Sequence, residues 1–193
     1  MKFRCLLFLA AFLVMNLQMF AAPFTFNTLL SGANENPSNS STATGSAHVI
    51  MDIVAHTLNV DVTFAGLSSP ATAAHIHCCT APPLNIGVAT TLIGFPAATS
   101  GTYVHTFDTT LTSSFSGSFI ALHGGTAGGA EAALFAGLLD GQAYLNIHDV
   151  EFPGGQIRGF LTAAVPEPST MVLLASGLAG IALFRRRLAN QQS

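Results

Sequence analysis

Charge is what this sequence has least of, and basic charge above all. Six Lys/Arg and nine Asp/Glu serve 193 residues, while half of the chain is apolar. Five of the six bases sit at the ends: Lys2, Arg4, Arg185, Arg186 and Arg187. Between Pro23 and Ala164 the only base is Arg158, against eight acids, and there is no lysine. Such a surface cannot neutralise a phosphate backbone, so nucleic-acid binding is excluded. Without lysine the middle has no Schiff-base residue and no phosphate-loop lysine. The apolar content is too high for a disordered chain. C-x-x-C is absent, which removes thioredoxin-type and zinc-ribbon chemistry. G-x-S-x-G is absent too, and no serine in Ser113–Ser118 stands out as a nucleophile. No period of 20–50 residues repeats, so a solenoid is not expected.

What is present begins with two terminal segments. Lys2 and Arg4 precede an apolar run from Cys5 to Met15, and small residues follow at Ala21–Ala22. That order is a secretory signal peptide over residues 1–22, to be removed by signal peptidase, with an uncleaved anchor as the alternative. At the other end Val165-Pro166-Glu167-Pro168-Ser169 leads into the apolar run Met171 to Phe184 and then Arg185–Arg187. Fourteen residues make about 21 Å of helix, short of the roughly 30 Å hydrocarbon core, and flanking residues with snorkelling arginines extend it. The arginines would stay cytoplasmic and leave the middle outside.

This C-terminal grammar resembles the PEP-CTERM sorting tag of Gram-negative bacteria. The resemblance implies that Pro166, Glu167 and Pro168 are the recognition element of exosortase, a membrane protease-transpeptidase. It also implies that residues 165–193 anchor a precursor in the inner membrane and are lost from the mature chain. The product would lie in the periplasm, on the outer surface or in the extracellular matrix, with exopolysaccharide or envelope proteins as partners.

From Pro23 to Ala164 apolar residues alternate. Ala47, Val49, Met51 and Ile53 share one face, as do Leu58, Val60, Val62 and Phe64. Further strands are expected at Phe24–Leu30, Ala73–His77, Thr102–Phe107, Phe115–Ile120, Ala143–His148 and Gln156–Leu161. Leu134 and Leu138, with Glu131 in the first turn and Gly141 beyond the end, predict one helix over Ala130–Leu139. The expected fold is mainly β: one antiparallel β-sandwich or partly open barrel of about eight strands, with a signal helix before it and a hydrophobic helix after it.

Four segments in order are similar to the CHRD domain, named after chordin. They are Leu30-Ser-Gly-Ala-Asn-Glu35-Asn-Pro37, Ala74-His-Ile-His77, Tyr144-Leu-Asn-Ile-His148 and Phe152-Pro-Gly-Gly-Gln-Ile-Arg-Gly159. The resemblance spans about Phe24 to Ala163 and implies no particular reaction. Gln156 stands where the family pattern usually has glutamate.

His75 and His77 are two apart and so project from one face of a strand, as do Tyr144, Asn146 and His148 on theirs. If these strands are neighbours, Arg158 joins the same polar face. His75, His77 and His148 would then be a first shell for zinc or copper, redox-active in the copper case, with Asp149 or Glu151 as a fourth ligand. The other reading is a hydrogen-bonded polar sheet surface. Cys78 and Cys79 follow directly. In an oxidising compartment they would pair with each other, bridge to another chain, or join the histidines on a soft metal. The PEP-CTERM resemblance implies a non-catalytic binding or structural protein of the cell envelope or biofilm matrix, and the histidine pattern offers zinc or copper binding as the alternative.

Overall fold

The computed structural model describes residues 23–164, together with 176–178, 180 and 181, which are helical. The expected signal segment lies outside the described residues, as do the Pro-Glu-Pro motif and most of the apolar run. Among the described residues no helix is long and apolar enough to cross a membrane.

The alternating stretches become strands because each can put one face on a core and the other toward polar surroundings. β1 (Phe24–Ser31), β2 (Thr44–Asp52) and β3 (Thr57–Ala65) form an antiparallel meander in full register. Asp52 closes the β2–β3 turn by accepting from the backbone N–H groups of Val54 and Ala55. β4 (Ala71–Cys78), β5 (Val88–Thr91), β6 (Gly101–Asp108), β7 (Ala143–Asp149), β8 (Ile157–Phe160) and β9 (Thr162–Ala163) complete one antiparallel sheet. Its order is β5-β4-β7-β8-β1-β2-β3-β6, with β9 also on β1. The sheet curls into an open half-barrel, so of the two expected architectures the partly open barrel is the one found.

The core lies on the sheet face that the helices cover. Phe26, Val49, Val60, Ile76, Leu145 and Ile147 are all fully buried there. Two helices pack onto it: α1 (Gly117–Leu122) and α2 (Ala127–Leu139). α2 starts three residues before the expected position, because Thr126 caps it by accepting from Gly129 N–H. Leu134 and Leu138 enter the core as expected. Glu131 is not in the first turn; it accepts from His56 Nδ1 at 3.0 Å and from the Thr109 hydroxyl.

One expected strand is a helix. Phe115–Ile120 gives way to α1 because Ser116 is an N-cap whose hydroxyl accepts from Phe119 N–H, and its carbonyl starts the helical ladder at Ile120. Phe115 and Phe119 are both buried, and a spacing of four suits a helical turn as well as a strand. β5 had no sequence signal of its own: four residues at a sheet edge are too few to show a period.

Candidate functional site

The polar face expected on β4, β7 and β8 forms, since these strands are neighbours. Register sets His77 opposite Tyr144, His75 opposite Asn146, and Ala73 opposite His148. On the other side of β7, Tyr144 faces Phe160 and Asn146 faces Arg158. One row thus runs His75–Asn146–Arg158. This face is not an open sheet surface, however. Two irregular segments cover it, residues 32–42 and 79–87, and the cover rests on Arg158.

Arg158 is fully buried. Its Nε donates to the Asn34 carbonyl, one terminal nitrogen donates to Asn85 Oδ1 at 2.6 Å, and the other donates to the Pro83 carbonyl at 2.7 Å. Its guanidinium lies 4.8 Å from the centre of the Tyr144 ring. The planar fork therefore ties both covering segments to the sheet at once. Asn85 in turn donates to the Asn36 carbonyl at 2.7 Å, joining the two segments directly.

Glu35 is the acid of this chamber. Both its oxygens accept from Asn146 Nδ2, at 3.1 and 3.2 Å, and one lies 3.9 Å from Arg158 Nε. Burial pushes its carboxyl up to about 7, against the opposing field of Arg158 and the Asn146 hydrogen bond. Sequence reasoning assigns Glu35 no role of its own. The signal was available: a lone base inside an acidic domain needs an acid or several acceptors wherever it is buried.

Gln156 is fully buried and stitches a third connection into place. Its side-chain amide donates to the hydroxyls of Ser41 (2.9 Å) and Ser68 (2.8 Å), and its Oε1 accepts from Ser68 N–H. A carboxylate there would lack the N–H groups that make the first two bonds, so the amide suits the two serines. Gly155 has a φ of +127° and an added Cβ would strike Asn146 Nδ2 and come 2.8 Å from Glu35. Only glycine fits that position.

Beside this chamber the three sequence-predicted histidines come together, one ring nitrogen from each within 4.8 Å of the others. His75 Nδ1 and His148 Nε2 are 3.3 Å apart. His77 Nδ1 meets the Ile86 carbonyl at 2.8 Å and His148 Nδ1 meets the Pro153 carbonyl at 3.0 Å. A carbonyl only accepts, so both Nδ1 atoms carry the proton and both Nε2 atoms present lone pairs. His77 Nε2 is buried with no hydrogen-bond partner. Tyr144 stacks on the His77 ring at 4.7 Å, nearly parallel, and fixes its plane.

Burial pulls His75 down to about 4, and repulsion from His148 and His77 adds to that. Burial also lowers His77 and His148, with the Ile86 and Pro153 carbonyls opposing. All three rings are neutral near pH 7.

The other candidate ligands lie elsewhere. Asp149 follows His148 and so points to the opposite side of β7. Its carboxylate accepts from the N–H groups of Ser69 (3.0 Å) and Phe152 (2.7 Å), a loop-holding role that removes it as a fourth ligand. Glu151 is exposed in the turn and does not join the group. Cys78 and Cys79 form a disulfide on the core side of β4. Their sulfurs face α2, where Cys79 Sγ lies 3.4 Å from the Ala133 carbonyl and an added Cβ at Gly137 would collide with both sulfurs.

Fold and face together define an antiparallel β domain with a buried polar chamber and a histidine cluster at its margin. The chain belongs to the CHRD-domain family, whose model matches residues 26–161. Residues 164–187 match the PEP-CTERM protein-sorting motif. No curated protein and no solved structure matches significantly. The motif implies processing by exosortase, export, and a membrane-anchored precursor in a Gram-negative bacterium. Combined with the CHRD domain, it marks an exosortase-sorted surface protein.

Proposed function

We propose that this protein is a non-catalytic binding or structural module of the cell envelope or exopolysaccharide matrix. Signal peptidase removes residues 1–22, and exosortase cuts beside Pro166, Glu167 and Pro168 and discards the tail. One observation carries this reading. β9 pairs with β1 through Phe26–Ala163 and Asn27–Thr162, and Ala164 N–H donates to the Thr25 carbonyl at 2.7 Å. The sorting motif starts at residue 164, so a cut at Pro-Glu-Pro leaves every strand of the domain in place. The tag is dispensable to the fold, as a processed address must be.

Intact mass of the released protein tests the processing. The expected species ends near Pro168 and lacks Arg185–Arg187, and replacing Pro166, Glu167 and Pro168 by alanine keeps the precursor in the membrane fraction. A mature species that retains the arginines overturns the reading. For the matrix role, the processed domain is expected to sediment with exopolysaccharide and to be freed by polysaccharide digestion. Recovery wholly in the soluble medium argues against it.

A further inference from the structure

We propose that His75, His77 and His148 form a binding site for one first-row transition-metal ion, zinc or copper, held by three imidazoles with a fourth position open. The inference goes beyond the matrix reading and does not depend on it. Each step starts from the backbone. Residues i and i+2 of β4 share a face, and β7 places His148 across from Ala73, one row beyond His75. No loop has to fold inward to bring the three rings together.

The ring chemistry then points one way. A histidine that binds a metal gives its other N–H to a carbonyl or carboxylate, which fixes tautomer and plane. His77 and His148 already do this, to Ile86 and Pro153. The lone pairs left over are those of the two Nε2 atoms, beside His75 Nδ1. If the cluster were only a hydrogen-bond network, His75 Nδ1–H could donate to His148 Nε2, but His77 Nε2 would remain buried and unpaired. Leaving a buried acceptor without a donor is unfavourable. A metal ion satisfies all three nitrogens together.

The distances agree. Tetrahedral ligands at about 2.0–2.1 Å from zinc stand about 3.3–3.4 Å apart. One pair is at that separation, and the set spans at most 4.8 Å, so small side-chain rotations close it. Among the described residues no carboxylate or thiolate joins the group, which leaves the fourth position to water or an external anion. Three imidazoles suit both ions, and the general order of divalent affinities puts copper(II) above zinc.

The full chain, purified without a histidine tag, is to be loaded with zinc or copper(II), desalted and subjected to elemental analysis. The expected result is one equivalent of either ion. His77→Ala and His148→Ala should each bring it below about a tenth of an equivalent, as for a tight site losing a ligand, while His123→Ala leaves it unchanged. Copper-loaded protein is to be read by electron paramagnetic resonance, which should show hyperfine structure from three imidazole nitrogens. That readout needs no variant, so it holds even if a histidine replacement misfolds. Substoichiometric metal in the parent chain, a full equivalent retained in the His77→Ala/His148→Ala double variant, or a copper spectrum without imidazole nitrogen overturns the proposal.

Discussion

Glu35 and Arg158 stand 3.9 Å apart inside the domain and share no hydrogen bond, because every nitrogen of the guanidinium donates to another partner. The pair is a junction between a covering segment and the sheet, and the arginine carries most of it. Arg158→Ala is expected to lower stability by about 3–5 kcal/mol, since it removes the three hydrogen bonds that hold the covering segments and leaves buried Glu35 without a counter-charge. Arg158→Lys should recover little, because an ammonium group cannot reach three acceptors in one plane. Chemical denaturation measures both. A lysine variant as stable as the parent would contradict the fork geometry.

Glu35 also makes stability depend on pH. Its folded-state value, about 7, lies above the ordinary carboxyl value of 4.5, so the folded protein holds the proton more tightly. The contribution is therefore complete below about pH 4.5 and is lost as pH rises through about 7. Between pH 5 and 8 the parent's Tm should fall more steeply than that of Glu35→Gln, which stays neutral and still accepts from Asn146. Parallel curves would show that Glu35 does not titrate in this range.

Adjacent glycines offer a sharper contrast. Gly155→Ala forces a side chain into a left-handed backbone position and against Glu35 and Asn146, at a cost of about 1–3 kcal/mol. Gly154→Ala meets nothing within 4 Å and should change stability by less than about 0.5 kcal/mol. Equal effects at the two sites would mean that the chamber is looser than its contacts indicate.

Cys78 and Cys79 are paired, and the remaining cysteine, Cys5, lies in the segment assigned to signal peptidase. The processed protein is expected to take up no thiol label until it is reduced and then to take up two. Labelling of one or two thiols without reductant would refute the pairing.

The meander β1–β3 was legible because each of its strands has one face on the core, so residues such as Val49, Val60 and Val62 repeat with period two. The histidine cluster was legible for the same reason: strand alternation alone set His75 and His77 on one face. What the alternation could not reveal is that Arg158, Asn146 and Tyr144 are buried as well. A polar face under a cover and a polar face in water have the same pattern. The cover is built from segments without a period, and its bonds join residues far apart in sequence, such as Asn85 to Asn36 and Asn39 to Gln156. Asp149 was misplaced as a ligand because proximity in sequence to His148 is opposition in space on a strand. Helix α1 falls in a stretch whose sequence also suits a strand, because Phe115 and Phe119, four apart, share a face in either, and only the Ser116 cap decides for the helix.

The pairing of β9 with β1 has a mechanical side. A surface protein held by its C-terminal end transmits pull first through Ala164, whose N–H holds the Thr25 carbonyl, and then through Ala163 and Thr162, which meet β1 at two residue pairs. Behind them Leu161 is fully buried and its N–H donates to Ala143 at 2.9 Å, the start of a longer bonded array with β7. Tension would peel the two outer pairs and then meet the body of the sheet. The domain thus carries a short fuse between its tether and its core, and the chamber and histidine cluster lie on the core side of it.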